Sequence, residues 1–137
     1  MADNALAKKL KLKPGQRAGL IGAPEGYLQA LGPLPEGVQV ADKLSGKFDW
    51  LQVFVKTQAE IDKLAPRAAR ALKPESILWI SFPKGTSKIQ TDLTRDKGWD
   101  FLKQLGLKWL VLVSVDDTWS AFGLRPYREG EARQTVR

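Results

Sequence analysis

The stretch ALKPESILWISFPKG, residues 71–85, decides the fold. A helical pattern over residues 58–72 runs into it, with Ile61, Leu64, Ala68, Ala71 and Leu72 on one stripe and Lys and Arg on the other. Residues 73–76 end that helix, and residues 77–82 are apolar enough to be a buried strand. The chain then turns abruptly polar. In an open α/β sheet, ligands bind where the chain leaves the carboxyl end of a strand, so residues 81–99, SFPKGTSKIQTDLTRDKGW, are a candidate site.

Upstream, FDWLQVFV at residues 48–55 is the clearest strand, apolar throughout except Asp49 and Gln52, as expected in the middle of a parallel sheet covered on both faces. Downstream, residues 94–105 form a predicted helix with Trp99, Leu102 and Leu105 inward and Gly106 as its C-cap. WLVLVSV at residues 109–115 is a further strand, and after Asp116-Asp117-Thr118 the chain resumes as a strand over residues 119–126. That connection is too short for a crossover, so the last two strands pair antiparallel.

Nearer the N-terminus, residues 4–11 suit a short amphipathic helix, halted by Pro14-Gly15. RAGLI at residues 17–21 is a first short strand. Pro24 fits the first turn of a helix over residues 24–31, residues 32–37 are loop, and residues 38–41 are a second short strand followed by a turn over residues 42–47. Strands alternating with helices and closing in a hairpin define an α/β, Rossmann-like fold: a mostly parallel sheet with an antiparallel C-terminal hairpin strand. At 137 residues the chain is one domain, with a basic helix or tail at residues 1–13, a core at 14–127 and a flexible tail at 128–137.

Composition excludes several chemistries. There is no cysteine and no histidine, which removes disulfides, thiolate nucleophiles, the usual zinc sites and Ser-His or Cys-His catalysis. The net charge is +7, but +4 of it lies in residues 1–17 and +2 in residues 125–137. Charge placed at the ends predicts weak, salt-sensitive, sequence-independent attraction to polyanions rather than a shaped nucleic-acid groove. The apolar runs fall short of a membrane span, and a cytoplasmic protein without membrane association is the expectation.

Within the polar run, Lys84, Ser87, Lys88, Asp92 and Arg95 could cradle an anionic group, the alternative being self-satisfied caps and ion pairs. Asp116 and Asp117 leave a neighbouring strand at the same edge. Asp117 is expected to accept turn amides and Asp116 to pair with Arg95 or Lys84. Trp99 and Trp119 could wall a pocket for a planar ligand, while Trp50, Trp79 and Trp109 read as core, as does Tyr27.

The helix ending in A-L-K-P, its strand, the following helix, G-L-K, strand and hairpin resemble the second half of class I S-adenosylmethionine-dependent methyltransferases over residues 48–126. Residues 14–42 resemble a shortened first half. The chain also resembles a bacterial family of small proteins without an assigned activity, through A-P-E-G-Y (23–27), L-G-P-L-P (31–35), T-D-L-T-R-D (91–96) and D-D-T-W-S (116–120). The methyltransferase resemblance implies a cofactor site at Gly22, Gly26 and Asp42, the last standing where a ribose-binding carboxylate belongs. Methyltransferases place an acidic residue and glycines such as G-x-G-x-G after the first strand. Here Pro24 interrupts that run and removes an amide donor. The reading from sequence is therefore a non-enzymatic protein with no cofactor, binding a small anionic ligand or a protein partner at the sheet's carboxyl edge. The alternatives are a minimal methyltransferase using S-adenosylmethionine and a nucleic-acid-associated protein using its basic ends.

Overall fold

A computed structural model of the protein describes residues 5–31, 34–84, 106–127 and 130–131. The elements in chain order are α1 (Ala5–Lys9), β1 (Arg17–Ile21), α2 (Tyr27–Ala30), β2 (Gln39–Ala41), β3 (Phe48–Phe54), α3 (Gln58–Arg70), β4 (Leu72–Pro83), β5 (Leu107–Ser114) and β6 (Trp119–Pro126). The strands form one six-stranded sheet in the order β2-β1-β3-β4-β6-β5. β2, β1, β3 and β4 are mutually parallel, and β6 inserts antiparallel between β4 and β5. The α/β class, the mostly parallel sheet and the antiparallel closing strand agree with the sequence reading. The predicted helix over 94–105 lies outside the described residues.

β3 occupies the middle, as its apolar run requires, and its residues except Asp49 are buried. Leu51 and Val53 face one side with α3, while Trp50 and Phe54 face the other. Phe48 packs with Leu51 rather than with Trp50, and the register between β3 and β4 shifts at this point, with the extra residues in β4.

α3 buries Ile61, Ala65 and Ala68 and opens with a complete capping box. Thr57 Oγ1 accepts from the Glu60 amide at 3.1 Å, and Glu60 Oε1 accepts from the Thr57 amide at 3.2 Å. Two of the orphan amides at the helix start are thereby satisfied.

Several boundaries differ from the sequence reading, each for a physical reason. The helix over 24–31 shrinks to Tyr27–Ala30, since Gly26 sits at φ 83°, a left-handed conformation that a helix cannot include. Residues 73–76 belong to β4 rather than to a loop. The Ser76 hydroxyl donates to the Phe48 carbonyl at 2.6 Å and accepts from the Lys73 amide at 2.8 Å, carrying the strand through the bulge. β5 is an edge strand, so Leu110, Val111 and Leu112 are exposed and Trp109 is half-buried rather than core. Its ring meets Phe122 edge-to-face at 4.7 Å.

Described residues near both ends make contacts with the core. Ala7, Leu10 and Leu12 are buried against the sheet. The Leu10 carbonyl accepts from both the Trp50 and the Trp79 indole nitrogens at 2.7 Å, using both of its lone pairs. At the other end, Glu131 is clamped by Arg125 through two bonds of 2.9 and 2.7 Å and by Lys108 at 2.8 Å. The lysines of the N-terminal segment still face solvent, but the backbone that carries them is part of the fold.

Candidate functional site

β1 is followed by β2 on one side and, after the chain crosses back, by β3 on the other. Their carboxyl ends diverge around the turn that leaves β1, the kind of switch point where open α/β sheets bind ligands. The turn is Gly22-Ala23-Pro24-Glu25-Gly26. Gly22 lies at φ 73°, and a Cβ there would stand 3.2 Å from the Phe54 carbonyl oxygen. Gly26 lies at φ 83° with open space around it, so there the dihedral alone requires glycine.

Two clefts flank this turn and share Gly22, Ala23 and Pro24 as their common wall. The first, about 640 Å³, opens over β1 and β2, and its lining includes Gly26, Tyr27, Leu28, Val40 and Asp42. Leu28 and Val40 are among the exposed large apolar side chains, and the exposed Asp42 follows β2 directly. The second, about 400 Å³, lies toward β3, where Phe54, Lys56, Glu60 and Trp119 close it. Both volumes are in the range of small-molecule sites.

Beneath the turn the packing is partly polar. The Tyr27 hydroxyl donates to Gln52 Oε1 at 3.0 Å, and Gln52 Nε2 donates to Ser81 Oγ at 2.8 Å. Gln52 and Ser81 are fully buried, and no buried side-chain nitrogen or oxygen among the described residues lacks a partner. Burial pushes the Tyr27 hydroxyl well above its ordinary range, opposed by the Gln52 bond and reinforced by the Asp116 charge. The phenol is thus a neutral donor near pH 7. Tyr27, Phe54 and Trp119 form an aromatic row with edge-to-face contacts of 4.7 and 5.0 Å.

Gly22, Gly26 and Asp42, the residues the resemblance selected, come together on one cleft. Of the polar-run candidates, Ser87, Lys88, Asp92, Arg95 and Trp99 lie outside the described residues. Lys84 is half-buried. Its amide donates to the Thr118 carbonyl and its ammonium to Ser114 Oγ, both at 2.7 Å, tying β4 to the hairpin.

Asp116, rather than Asp117, takes the turn amides. Asp116 Oδ1 accepts from the Thr118 and Trp119 amides at 2.8 Å, because its position opens the turn, while Asp117 is exposed at the turn's apex. Trp119 is 5% exposed and walls the second cleft. Lys56 and Glu60 were missed by sequence reasoning. The available signal was T-Q-A-E at residues 57–60, a capping-box pattern that marks a helix start beside the carboxyl end of β3.

No family model matches the chain, and no curated protein matches it in sequence. Solved structures do match in shape. A ribosomal protein L11 methylase from Lactobacillus delbrueckii subsp. bulgaricus superposes with a TM-score of 0.59 at 12% identity, over 90% of this chain and 76% of that one. A SAM-dependent methyltransferase from Aquifex aeolicus gives 0.58 at 15% identity, over 88% and 87%. The magnesium protoporphyrin IX methyltransferase of Synechocystis PCC 6803, solved with bound SAH, gives 0.56 at 11% identity, over 90% and 79%.

The fold is that of class I S-adenosylmethionine-dependent methyltransferases. In this small methyltransferase fold, nine-tenths of the chain aligns with enzymes of that class, and the β1 turn with its two clefts lies at the carboxyl edge of the shared sheet. Among the described residues no cluster of side chains could hold a metal ion, and no helix is long and apolar enough to cross a membrane.

Proposed function

We propose that the chain is a minimal S-adenosylmethionine-dependent methyltransferase that binds its cofactor across the Gly22–Gly26 turn. The observation that carries this reading is the convergence of Gly22, Gly26 and Asp42 on one cleft at the sheet's switch point. Asp42 accepts hydrogen bonds from the ribose hydroxyls, a charge-assisted interaction suited to an exposed carboxylate directly after a strand. Leu28 and Val40 offer apolar surface to the planar base. Gly22 and Gly26 keep side chains out of the path between them.

Pro24 argues for a ligand-free protein only if a donor at that position is indispensable. It stands on the wall between the two clefts, so the cleft beside Asp42 keeps its volume. The bound cofactor supplies an electrophilic methyl group. Transfer to a nucleophilic acceptor needs no histidine or cysteine, which this chain lacks. The protein's contribution is orientation and the exclusion of water.

Isothermal titration calorimetry with S-adenosylmethionine and its demethylated product tests the reading. Saturable binding is expected, with Asp42→Ala weakening it about 10- to 100-fold, the range of one hydrogen bond to a charged group. Absence of binding at millimolar ligand by a folded protein overturns it.

A further inference from the structure

We propose that a third cleft, at the amino edge of the sheet between the 42–47 turn and the end of α3, binds a phosphate dianion, free or as a terminal monoester, with Arg67 and Arg70 as its ligands. It lies at the opposite edge from the β1 turn and is independent of any cofactor there. The cleft has a volume of about 200 Å³ and is lined by Leu44, Gly46, Arg67, Arg70 and Ala71. That is room for one small group and too little for a nucleoside. Both arginines stand in the last turn of α3, exposed and three residues apart, which makes them neighbours on the helix surface. Among the described residues neither guanidinium has a hydrogen-bond or ion-pair partner, and no carboxylate lines the cleft. Lys63 and Leu64 precede Arg67 by four and three residues, and Pro66 and Arg67 precede Arg70, so α3 offers no carboxylate in pairing position.

The facing wall adds positive charge without cancelling any. Arg17 Nη1 and Nη2 donate to the Lys47 and Ser45 carbonyls at 2.5 and 2.6 Å, and the guanidinium stands 4.1 Å from the centre of the Phe48 ring. It backs the cleft lining closely, since a Cβ on Gly46 would come within 3.0 Å of Arg17 Nη1. Lys47 Nζ donates to the Arg70 carbonyl at 2.6 Å. Carbonyls are neutral acceptors, so the charges of Arg17, Lys47, Arg67 and Arg70 all persist around one opening. Asp49 bonds the Arg17 amide and Lys73, not the α3 guanidinia. The negative end of a helix dipole is equivalent to only about half a charge, too little to balance four cations. A dianion balances them better, and arginine forks match the paired oxygens of phosphate.

The test is calorimetry on the full chain with sodium phosphate against sodium chloride of equal ionic strength, at mildly alkaline pH where the dianion prevails. Saturable one-to-one binding is expected in the wild type, weakened about 10-fold or more in Arg67→Met and in Arg70→Met, the range of one charge-assisted contact. Lys8→Met removes the same charge from an exposed position on the N-terminal segment and should leave the affinity unchanged. Phosphate should also raise the melting temperature of the wild type and of Lys8→Met but not of the arginine variants, because a ligand of the folded state alone shifts unfolding. Methyl phosphate binding at least as tightly as inorganic phosphate assigns the site to the terminal phosphate of a larger ligand, and weaker binding assigns it to the free ion. No binding beyond the chloride control, or equal weakening in all three variants, overturns the site. An oligothymidylate without terminal phosphates that displaces phosphate from the wild type also overturns it, since the face would then take a polymer backbone.

Discussion

The two faces of the sheet are held by different means. On one, α3 lays Ile61, Ala65 and Ala68 against Leu51, Val53, Leu78 and Ile80, an entirely apolar contact under a helix of 13 residues with a complete N-terminal cap. On the other, the covering helices have five and four residues, too short to be stable by themselves. That face is fastened by directional bonds: two indoles on the Leu10 carbonyl, the Tyr27–Gln52–Ser81 chain, and the aromatic row through Phe54 to Trp119. A long amphipathic helix finds its place by burial, whereas short segments need polar partners to fix where they sit. Tyr27, Phe54 and Trp119 belong to this second face and also wall the clefts.

Removing residues 1–13 should break the comparison most severely. It withdraws Leu10 and Leu12, whose burial is worth about 1.5–3 kcal/mol each. It also leaves two buried indole donors unpaired at about 1–3 kcal/mol each. The sum approaches the whole stability of a domain, about 5–15 kcal/mol. Loss of near-ultraviolet circular dichroism is expected. A truncated chain that melts within a few degrees of the full one would show that the second face does not depend on this segment. Any assay of polyanion binding by this deletion would therefore measure unfolding first.

On the α3 face, Ile61→Ala is expected to cost about 2–5 kcal/mol in urea unfolding, the range for a fully buried aliphatic side chain cut to alanine. A loss under 1 kcal/mol would mean that α3 is not anchored by burial.

Tyr27→Phe probes the polar face and should cost about 1–3 kcal/mol, since Gln52 Oε1 loses its buried donor. The same side chain gives a pH signature. Its folded pKa is raised above the ordinary value of 10.0, so its stabilisation is complete below about pH 10 and declines as pH rises toward and through the folded value. The wild type should lose stability on the alkaline side faster than Tyr27→Phe does. Parallel alkaline limbs would place the phenol in solvent.

The smallest effect is expected at Asp49, whose carboxyl is held below its usual range first by the Arg17 amide at 2.8 Å and then by Lys73 at 2.9 Å. Its folded pKa is depressed, so its contribution is present above the ordinary carboxylate value, about 3.9, and is lost as pH falls through the folded value. The wild type's advantage over Asp49→Asn should therefore vanish in acid. An advantage independent of pH would assign it to packing rather than charge.

The long apolar patterns were legible because burial of a whole strand or helix face leaves a continuous signal. β3 and α3 start where their sequences indicate, and β6 has the predicted bounds. The short elements carried weaker signals. The helix expected from Pro24 onward fails because Gly26 turns left-handed, and residues 73–76 look like a helix exit until Ser76 bonds to Phe48 across the bulge. At the site, Gly22, Gly26 and Asp42 stood out in sequence through spacing around a first strand. Lys56 and Glu60 did not, since a capping box has the same appearance whether or not a cleft lies beside it.

By itself the sequence determined the class of fold, the central place of β3, the antiparallel closing hairpin and the exclusion of cysteine and histidine chemistry. Each of these depends on composition or on contacts near in the chain. Only the tertiary structure decided that β6 inserts between β4 and β5, that the N-terminal segment caps two tryptophans 40 and 69 residues away, and that two clefts share one turn. Such features join residues far apart in sequence through single hydrogen bonds or shared walls, and no periodicity or spacing along the chain encodes which distant carbonyl an indole will find.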